Sequence, residues 1–168
     1  MASLLPDSRR SWIALLISVA AALAVGQIGG LVTAPAVREW YPSLELPAWR
    51  PPNLAFPIVW TILYIAMAYA AWLVWRAAER GARGWEGAWL ALSLYGVLLA
   101  LNLALSFLFF GLRSPALGLL DIFPLAAAIL ATLLAFKEHS RLAAWLMAPY
   151  LLWVCYAAVL NFEIWVRN

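Results

Sequence analysis

The sequence predicts an all-α integral membrane protein, a bundle of five transmembrane helices that forms a single domain over residues 1–168. Hydrophobic residues make up 67% of the chain and charged residues 11%, and the mean hydropathy is +0.89. Soluble domains carry about 25% charged residues, so this composition is typical of a membrane protein. Because a helix of about 20 residues crosses a bilayer, the chain has room for roughly five such helices.

Five apolar stretches account for most of the chain. They predict helices at residues 12–33, 55–75, 86–110, 116–136 and 142–165. Most connections are short, so neighbouring helices should be antiparallel. The fourth helix has a recognisable start, with Ser114 as the cap and Pro115 at the first position. The longest connection, residues 34–54, joins the first two helices.

The basic residues predict the orientation of the bundle. With a cytoplasmic N-terminus, seven of the 11 Lys and Arg lie on the cytoplasmic side: Arg9, Arg10, Arg76, Arg80, Arg83, Lys137 and Arg141. The other four lie outside: Arg38, Arg50, Arg113 and Arg167. The positive-inside rule therefore places the C-terminus and residues 34–54 outside. An all-helical bundle fits a bacterial inner membrane or an organellar membrane better than a barrel-type outer membrane, and the bacterial inner membrane is the expected location.

The start of the chain allows two interpretations. Ser8-Arg9-Arg10-Ser11-Trp12 is faintly similar to a twin-arginine signal. The apolar run that follows is long for a signal peptide, which favours a basic anchor ahead of an uncleaved first helix. The net charge of +3 comes mostly from such membrane flanks, so no nucleic-acid partner is expected. The single Cys155 excludes an intrachain disulfide.

A proline-rich segment, Pro47-Ala48-Trp49-Arg50-Pro51-Pro52-Asn53, lies in the long connection. Three prolines fix φ and bias their neighbours towards extended conformations, so this segment should hold one shape. It carries one Trp and one Arg at the membrane surface. Such a segment suits a lid over a ligand that is both flat and charged.

Polar and aromatic residues from all five helices fall in the outer half of the membrane. With a rise of about 1.5 Å per residue, the set comprises Gln27, Trp60, Tyr64, Asn102, Asp121, Asn161 and Glu163, with Trp153 closer to the middle. Polar groups in hydrocarbon are costly and normally face the bundle interior or a cavity. We therefore expect a pocket in the outer half, covered by residues 34–54.

Short motifs in a fixed order resemble the translocator protein family, also called tryptophan-rich sensory proteins or TspO/MBR. The matching motifs are Trp40-Tyr41, residues 47–53, Trp60-Thr61-Ile62-Leu63-Tyr64, Leu101-Asn102, Phe109-Phe110-Gly111, Pro149-Tyr150-Leu151-Leu152-Trp153 and Leu160-Asn161. Each motif alone is weak, but the ordered set from Gly26 to Asn168 is specific. The resemblance implies a five-helix bundle, usually dimeric, that binds porphyrins and other tetrapyrroles, sterols and benzodiazepine-type ligands.

The resemblance also implies roles for individual residues. Trp49 and Asn53 match loop positions that close the family's ligand pocket. The family's pocket wall is matched by Trp60, Tyr64, Asp121, Trp153 and Ala157. With Asn102 and Asn161 from the depth argument, these residues form the predicted ligand-binding set.

Three leucines depart from the family pattern. Leu98 stands where members often have Gln, and Leu103 and Leu105 stand where they often have Trp. We therefore expect a less aromatic pocket on that wall. The C-terminal sterol consensus is not met, because Phe162 replaces its usual Tyr and no basic residue follows Tyr156 within five positions.

The residue types also favour a tetrapyrrole on physical grounds. Trp and Tyr faces can stack on the aromatic plate, each good pair contributing roughly 1 kcal/mol beyond area burial. Arg50, and with less weight Arg38, could pair with propionates at the rim of the pocket. The only histidine, His139, lies in the basic run at residues 137–141 on the cytoplasmic side, so no metal is expected.

Several of these residues have structural alternatives. Asn102 and Asn161 could only join helices, Asp121 could cap or pair near the interface, and Glu163 could pair with Arg167. Many of the 11 Trp suit an interfacial belt, namely Trp12, Trp40, Trp75, Trp85, Trp145 and Trp165. Two small-residue stripes allow close helix approach. They are Ala22, Gly26 and Gly30, and Gly96, Ala100 and Ala104, and the resemblance assigns the second to a homodimer.

Three classes of function remain. The favoured one is a receptor or carrier that binds tetrapyrroles and so affects pigment or haem metabolism. The second is a porphyrin-degrading enzyme with Trp49 or Trp153 as a radical or light-coupled centre; against it, the sequence shows no metal site, nucleophile–base pair or cofactor motif. The third is a small transporter, which the off-centre Asp121 and the lack of repeats disfavour. We expect no catalytic residue and no cofactor.

Overall fold

The computed structural model describes residues 8–81 and 84–168, and these fold into five long helices with no strand among them. The helices are α1 (Ser8–Glu39), α2 (Ala55–Glu79), α3 (Gly84–Leu105), α4 (Pro115–His139) and α5 (Arg141–Arg167). Each helical segment is long and apolar enough to cross a membrane, which confirms the predicted fold class. Arg83, which entered the charge count, lies outside the described residues.

The first helix is longer than predicted. It begins at Ser8 and ends at Glu39, whereas the sequence pattern gave residues 12–33. The predicted end preceded Pro35, which usually stops a helix because it lacks a backbone N–H. Here Pro35 lies inside α1, and the helix is still closed beyond it by the Trp40 N–H donating to the Ala36 carbonyl at 2.9 Å. The α1–α2 loop is therefore residues 40–54, not 34–54.

The third helix changes its winding at its C-terminal end. Residues Ser106–Gly111 form a π-helical turn, with the Leu112 N–H donating to the Phe107 carbonyl at 2.7 Å. Such wider turns are uncommon and often occur near functional sites. The predicted helix at 86–110 is thus one continuous segment with an irregular end. The turn re-aims Phe109 and Phe110 relative to a regular helix.

The helix starts of α4 and α5 are capped by serines. The Ser114 hydroxyl accepts from the Leu117 N–H at 3.3 Å, which confirms the predicted cap. The Ser140 hydroxyl accepts from the Ala143 N–H at 3.2 Å in the same way. These caps satisfy two backbone donors and fix tight connections, so α3, α4 and α5 follow one another as antiparallel neighbours.

The core of the bundle is apolar, and helix pairs pack closely throughout it. Met67, Leu98, Leu125, Ile129 and Met147 have no exposed surface. The most extensive contacts join α4 to α5, α1 to α2 and α3 to α4. Because α2 also packs on α5, the bundle closes around this core.

The two small-residue stripes lie in different surroundings. Ala22 is fully buried, and a side chain at Gly26 would meet the Tyr64 ring of α2 at 2.8 Å. The α1 stripe therefore lets α2 approach. On α3, Gly96 and Ala100 are exposed, and a Cβ at Gly96 would meet nothing within 4 Å. The α3 stripe makes no comparable contact inside the bundle.

Candidate functional site

A cavity of about 530 Å³ lies between the helices at the end where α1 finishes and α2 begins. Residues of all five helices line it, as does the π-helical turn. The lining is rich in aromatic side chains: Tyr41, Phe56, Trp60, Tyr64, Phe109, Phe110 and Trp153. Its volume falls in the roughly 300–1,000 Å³ range of small-molecule sites in proteins.

Most of the predicted site residues lie in this lining. They are Asn53, Trp60, Tyr64, Asn102, Trp153, Ala157 and Asn161. Three predicted residues do not line the cavity, namely Trp49, Arg50 and Asp121. The contacts of these three explain their positions.

Tyr64 is a junction of three helices. The Asn102 amide nitrogen of α3 donates to the Tyr64 hydroxyl at 3.0 Å, and the edge of the Tyr64 ring lies against Gly26 of α1. The ring centroid of Trp60 lies 5.8 Å from that of Tyr64 and 5.9 Å from that of the fully buried Tyr150. This network holds the Trp60 and Tyr64 rings in fixed positions along the cavity wall.

Trp153 and Trp49 are connected through Tyr156. The Trp153 and Tyr156 ring centroids are 5.6 Å apart, and the Tyr156 and Trp49 centroids are also 5.6 Å apart. The Tyr156 hydroxyl donates to the Trp49 carbonyl at 3.4 Å. Trp49 therefore fastens the α1–α2 loop to α5, and its relation to the cavity is indirect. Sequence reasoning did not assign Tyr156 a role, although it follows Trp153 by one helical turn.

Asn161 both lines the cavity and joins two helices. In the amide orientation that satisfies both its ends, it donates to the Pro115 carbonyl at 2.9 Å and accepts from the Leu119 N–H at 3.0 Å. Gly118 leaves the necessary room, since a Cβ there would stand 2.9 Å from the Asn161 side-chain amide. Like Asn102, this residue has the helix-joining role that the sequence left open, and it still borders the cavity.

Asp121 lies inside the bundle beside the cavity. Its neighbour Ile122 lines the cavity, whereas Asp121 is buried and does not line it. Within the described residues its Oδ2 atom makes no hydrogen bond. A rotation of about 100° per residue along α4 accounts for this difference between adjacent positions.

The two arginines near the cavity have different positions. Arg38 lines the cavity, because α1 continues far enough to carry it there. The Arg50 guanidinium instead donates to the Asn53 side-chain oxygen at 2.8 Å. Arg50 therefore orients a residue that lines the cavity. The sequence had favoured Arg50 over Arg38 as the residue that pairs with propionates at the rim. Burial raises the pKa of Tyr41 in the lining, and the positive charge of Arg50 opposes that rise.

The α1–α2 loop is also tied to the end of α5. The Asn168 side-chain oxygen accepts from the Glu45 N–H at 3.0 Å, and its amide nitrogen donates to the Ile164 carbonyl at 2.8 Å. Together with the Trp49–Tyr156 contact, this bond fixes the loop at two separate points of α5. The loop therefore covers the cavity from a defined position.

The leucines that depart from the family pattern do not all reach the cavity. Leu105 lines it, but Leu98 is fully buried in the core of the bundle. The predicted decrease in aromatic surface therefore applies at Leu105. Phe109 and Phe110 nearby still give this side of the cavity aromatic surface. The sequence showed Phe109-Phe110-Gly111 as a motif, and in the structure both rings line the cavity from the π-helical turn.

The five spanning helices define a polytopic integral membrane protein. A model of the TspO/MBR family matches residues 17–166. The chain is 37% identical over 154 residues to the tryptophan-rich protein TspO of Archaeoglobus fulgidus, covering 92% of this chain and 96% of that protein. It is 40% identical over 148 residues to the TspO of Chlorobaculum tepidum, covering 87% and 90%, respectively. It is also 40% identical over 130 residues to the human translocator protein, covering 77% and 75%. The chain belongs to the TspO/MBR family.

Proposed function

We propose that this protein is a membrane receptor or carrier that binds tetrapyrroles, such as protoporphyrin IX and haem-type ligands, in the cavity under the α1–α2 loop. In this role it would affect tetrapyrrole or pigment metabolism or a stress response. The observation that carries the proposal is a cavity lined by aromatic rings with one arginine, Arg38, in its lining.

The shape and chemistry of a tetrapyrrole suit this lining. Its flat ring system can pack against Trp60 and Trp153, since stacked or edge-on aromatic pairs add about 0.5–1.5 kcal/mol beyond area burial. Its propionates need a cation, and a guanidinium binds a carboxylate through two parallel hydrogen bonds. Arg38 at the end of α1 is placed for that role.

The predicted residues then divide into two groups. Direct contact is proposed for Asn53, Trp60, Tyr64, Asn102, Trp153, Ala157 and Asn161. An indirect role is proposed for Trp49, which holds the loop against Tyr156, and for Arg50, which orients Asn53. For Asp121, an indirect role through the packing of α4 is proposed, because it is buried next to the lining residue Ile122.

A titration of the purified chain with protoporphyrin IX in detergent, followed by tryptophan quenching, tests this proposal. We expect saturable binding near micromolar, about −8 kcal/mol. Trp60→Leu should weaken it about tenfold, and Trp49→Ala and Asp121→Ala should weaken it less. The control is Trp145→Leu, because Trp145 is 75% exposed and lies outside the cavity. Absent saturation, or an equal loss in Trp145→Leu, would reject the tetrapyrrole site.

We also propose a homodimer through Gly96, Ala100 and Ala104, and an inner-membrane orientation with the N-terminus cytoplasmic. The exposed face at Gly96 and Ala100 supports the dimer, because small residues let two helices approach closely in a membrane. The distribution of basic residues supports the orientation.

A further inference from the structure

A second concave site lies at the opposite end of the bundle from the α1–α2 loop. It is a groove of about 360 Å³ between the start of α1, the end of α2 and the first half of α3. Its apolar surface comes from Ile13, Ile17, Ala71 and Leu92, and Arg10 lies at its mouth. None of its lining residues belongs to the cavity described above.

The mouth of the groove carries a second positive charge. The Arg76 guanidinium lies 4.7 Å above the ring of Trp72, which lines the groove and donates its indole N–H to the Ser11 carbonyl at 2.7 Å. The Trp12 ring stacks against Trp72 with 6.2 Å between centroids. Trp72 therefore has a fixed position and holds Arg76 beside the mouth.

Several polar atoms at this end have no hydrogen-bond partner among the described residues. They include the Arg76 Nε atom and the indole nitrogen of Trp75, which also lines the groove. Trp75 lies about one turn from the end of α2, the depth at which ester and phosphate oxygens of lipids are found. These atoms are buried, as is the Glu79 Oε2 atom, which also lacks a partner, so they are not themselves contact points for a ligand. They make the end of α2 polar beside a groove whose lining is mostly apolar.

The depth of the groove indicates a long apolar ligand. Leu92 lies roughly 12 Å and Tyr95 roughly 16 Å from the start of α3 at 1.5 Å per residue. Tyr95 is only 7% exposed, and Ser18 beside it donates its hydroxyl to the Ala68 carbonyl at 3.0 Å. The groove thus extends from charged residues at the surface to a closed end well inside the membrane.

We propose that this groove is a binding site for an anionic phospholipid of the leaflet at this end of the bundle. The phosphate pairs with Arg10 and Arg76, and one acyl chain lies along Ile13, Ile17 and Leu92. Guanidinium groups recognise phosphate through paired hydrogen bonds, which selects the anionic headgroup. The basic residues predict this end to be cytoplasmic, where anionic lipids attract nearby Lys and Arg.

Native mass spectrometry of the full chain, purified with equal amounts of phosphatidylglycerol and phosphatidylcholine, tests the proposal. Wild type should retain phosphatidylglycerol preferentially, and Arg76→Gln should reduce that retention about fivefold, the equivalent of about 1 kcal/mol for one cation near the surface. Arg80→Gln is the matched control, because it removes the same charge from an exposed residue just beyond α2.

Two further variants test the proposal even if Arg76→Gln fails to fold. One places a large side chain in the groove, and the other places the same side chain elsewhere on α1. Ile17 is 64% exposed and lines the groove, so Ile17→Trp should also release phosphatidylglycerol without disturbing the core. Leu31 is 74% exposed on α1 and lines neither the cavity nor the groove, so Leu31→Trp should retain phosphatidylglycerol as wild type does. Equal retention of both lipids, equal losses in a variant and its control, or displacement by excess inorganic phosphate would overturn the proposal.

Discussion

The Asn102 amide donates a hydrogen bond to the Tyr64 hydroxyl at 3.0 Å, and both residues line the cavity. This bond joins α3 to α2 at a depth where water is scarce. It also fixes the Tyr64 ring, which would otherwise be free to turn towards the cavity or towards Gly26. The same two residues therefore stabilise the bundle and set the shape of the proposed site.

Removing this hydrogen bond should destabilise the bundle by a measurable amount. Interhelical hydrogen bonds in membrane proteins contribute about 0.6 kcal/mol on average and at most about 1.7 kcal/mol. We expect Tyr64→Phe and Asn102→Leu each to lower the free energy of unfolding, with a coupling energy of about 0.6–1.7 kcal/mol in the double variant. Unfolding in mixed micelles with increasing sodium dodecyl sulfate measures all four proteins. Strictly additive effects would show that the bond contributes nothing.

A methyl group at Gly26 should push the Tyr64 ring out of place. A Cβ there would stand 2.8 Å from the ring, whereas a Cβ at Gly30 would meet nothing within 4 Å. Overpacking of this kind costs about 1–3 kcal/mol of folding stability. Because the displaced ring lines the cavity, Gly26→Ala should also weaken protoporphyrin binding, about tenfold.

Gly30→Ala is the matched control for that experiment, because Gly30 lies one turn away on α1 and also lines the cavity. It should bind protoporphyrin as wild type does. If Gly26→Ala binds equally well, the position of Tyr64 does not control the site.

The sequence predicted the five helices, and seven of its nine ligand-binding candidates line the cavity, because polar and aromatic residues in an apolar chain mark the bundle interior. It could not predict that Pro35 lies within α1, since proline usually stops a helix. That error shortened the predicted α1 and placed Arg38 in the loop, where it received less weight than Arg50 as a partner for propionates. The sequence also gave no sign of the π-helical turn at Ser106–Gly111, because no residue pattern distinguishes such a turn from a regular helix end.

Arg38 should recognise the propionates of the ligand, and Arg50 should not contact them. Arg38 lines the cavity, whereas the Arg50 guanidinium donates to Asn53. Because Arg38 is exposed, we expect Arg38→Gln to weaken protoporphyrin IX binding by a modest factor, about two- to fivefold, as for an exposed ion pair. The affinity of the Arg38→Gln variant for protoporphyrin IX dimethyl ester, which has no propionate charge, should equal that of wild type.

Arg50→Gln should weaken the binding of protoporphyrin IX and of its dimethyl ester equally, because the substitution disturbs Asn53 and removes no ion pair with the ligand. Titrations of both ligands against both variants separate these outcomes. If Arg50→Gln lowers the affinity for protoporphyrin IX but not for its dimethyl ester, Arg50 and not Arg38 binds the propionates.

A large side chain at Gly96 should block the proposed dimer. Gly96 is exposed on α3, and two helices can meet there only if no side chain intervenes. We expect Gly96→Leu to raise the dimer dissociation constant about tenfold, corresponding to roughly 1.4 kcal/mol of lost packing. Analytical ultracentrifugation in detergent measures it. Val97→Leu, an exposed position just outside the stripe, should leave the dimer unchanged, and a dimer that survives Gly96→Leu uses another face.

The hydrogen bond between Asn168 and Glu45 should control how often the α1–α2 loop leaves the cavity. The Asn168 oxygen accepts from the Glu45 N–H at 3.0 Å, while Trp49 packs on Tyr156 as an independent second attachment. Asn168→Ala removes this bond and a longer one, in which the Asn168 amide nitrogen donates to the Glu45 carbonyl at 3.4 Å. Since one hydrogen bond contributes about 0.5–1.5 kcal/mol, the variant should speed amide exchange in residues 40–54 at least two- to tenfold. Ligand dissociation should accelerate by the same factor if the loop must open for release.

Hydrogen–deuterium exchange of the loop and stopped-flow release of protoporphyrin measure the two rates. Arg167→Ala is the control, because Arg167 pairs with Glu163 of its own helix and makes no bond to the loop. Faster exchange with unchanged release would mean that the ligand leaves by a route that bypasses the loop. The direction of exit would then have to be sought between the helices, where Gln27 of α1 and Thr61 of α2 are both exposed and both line the cavity.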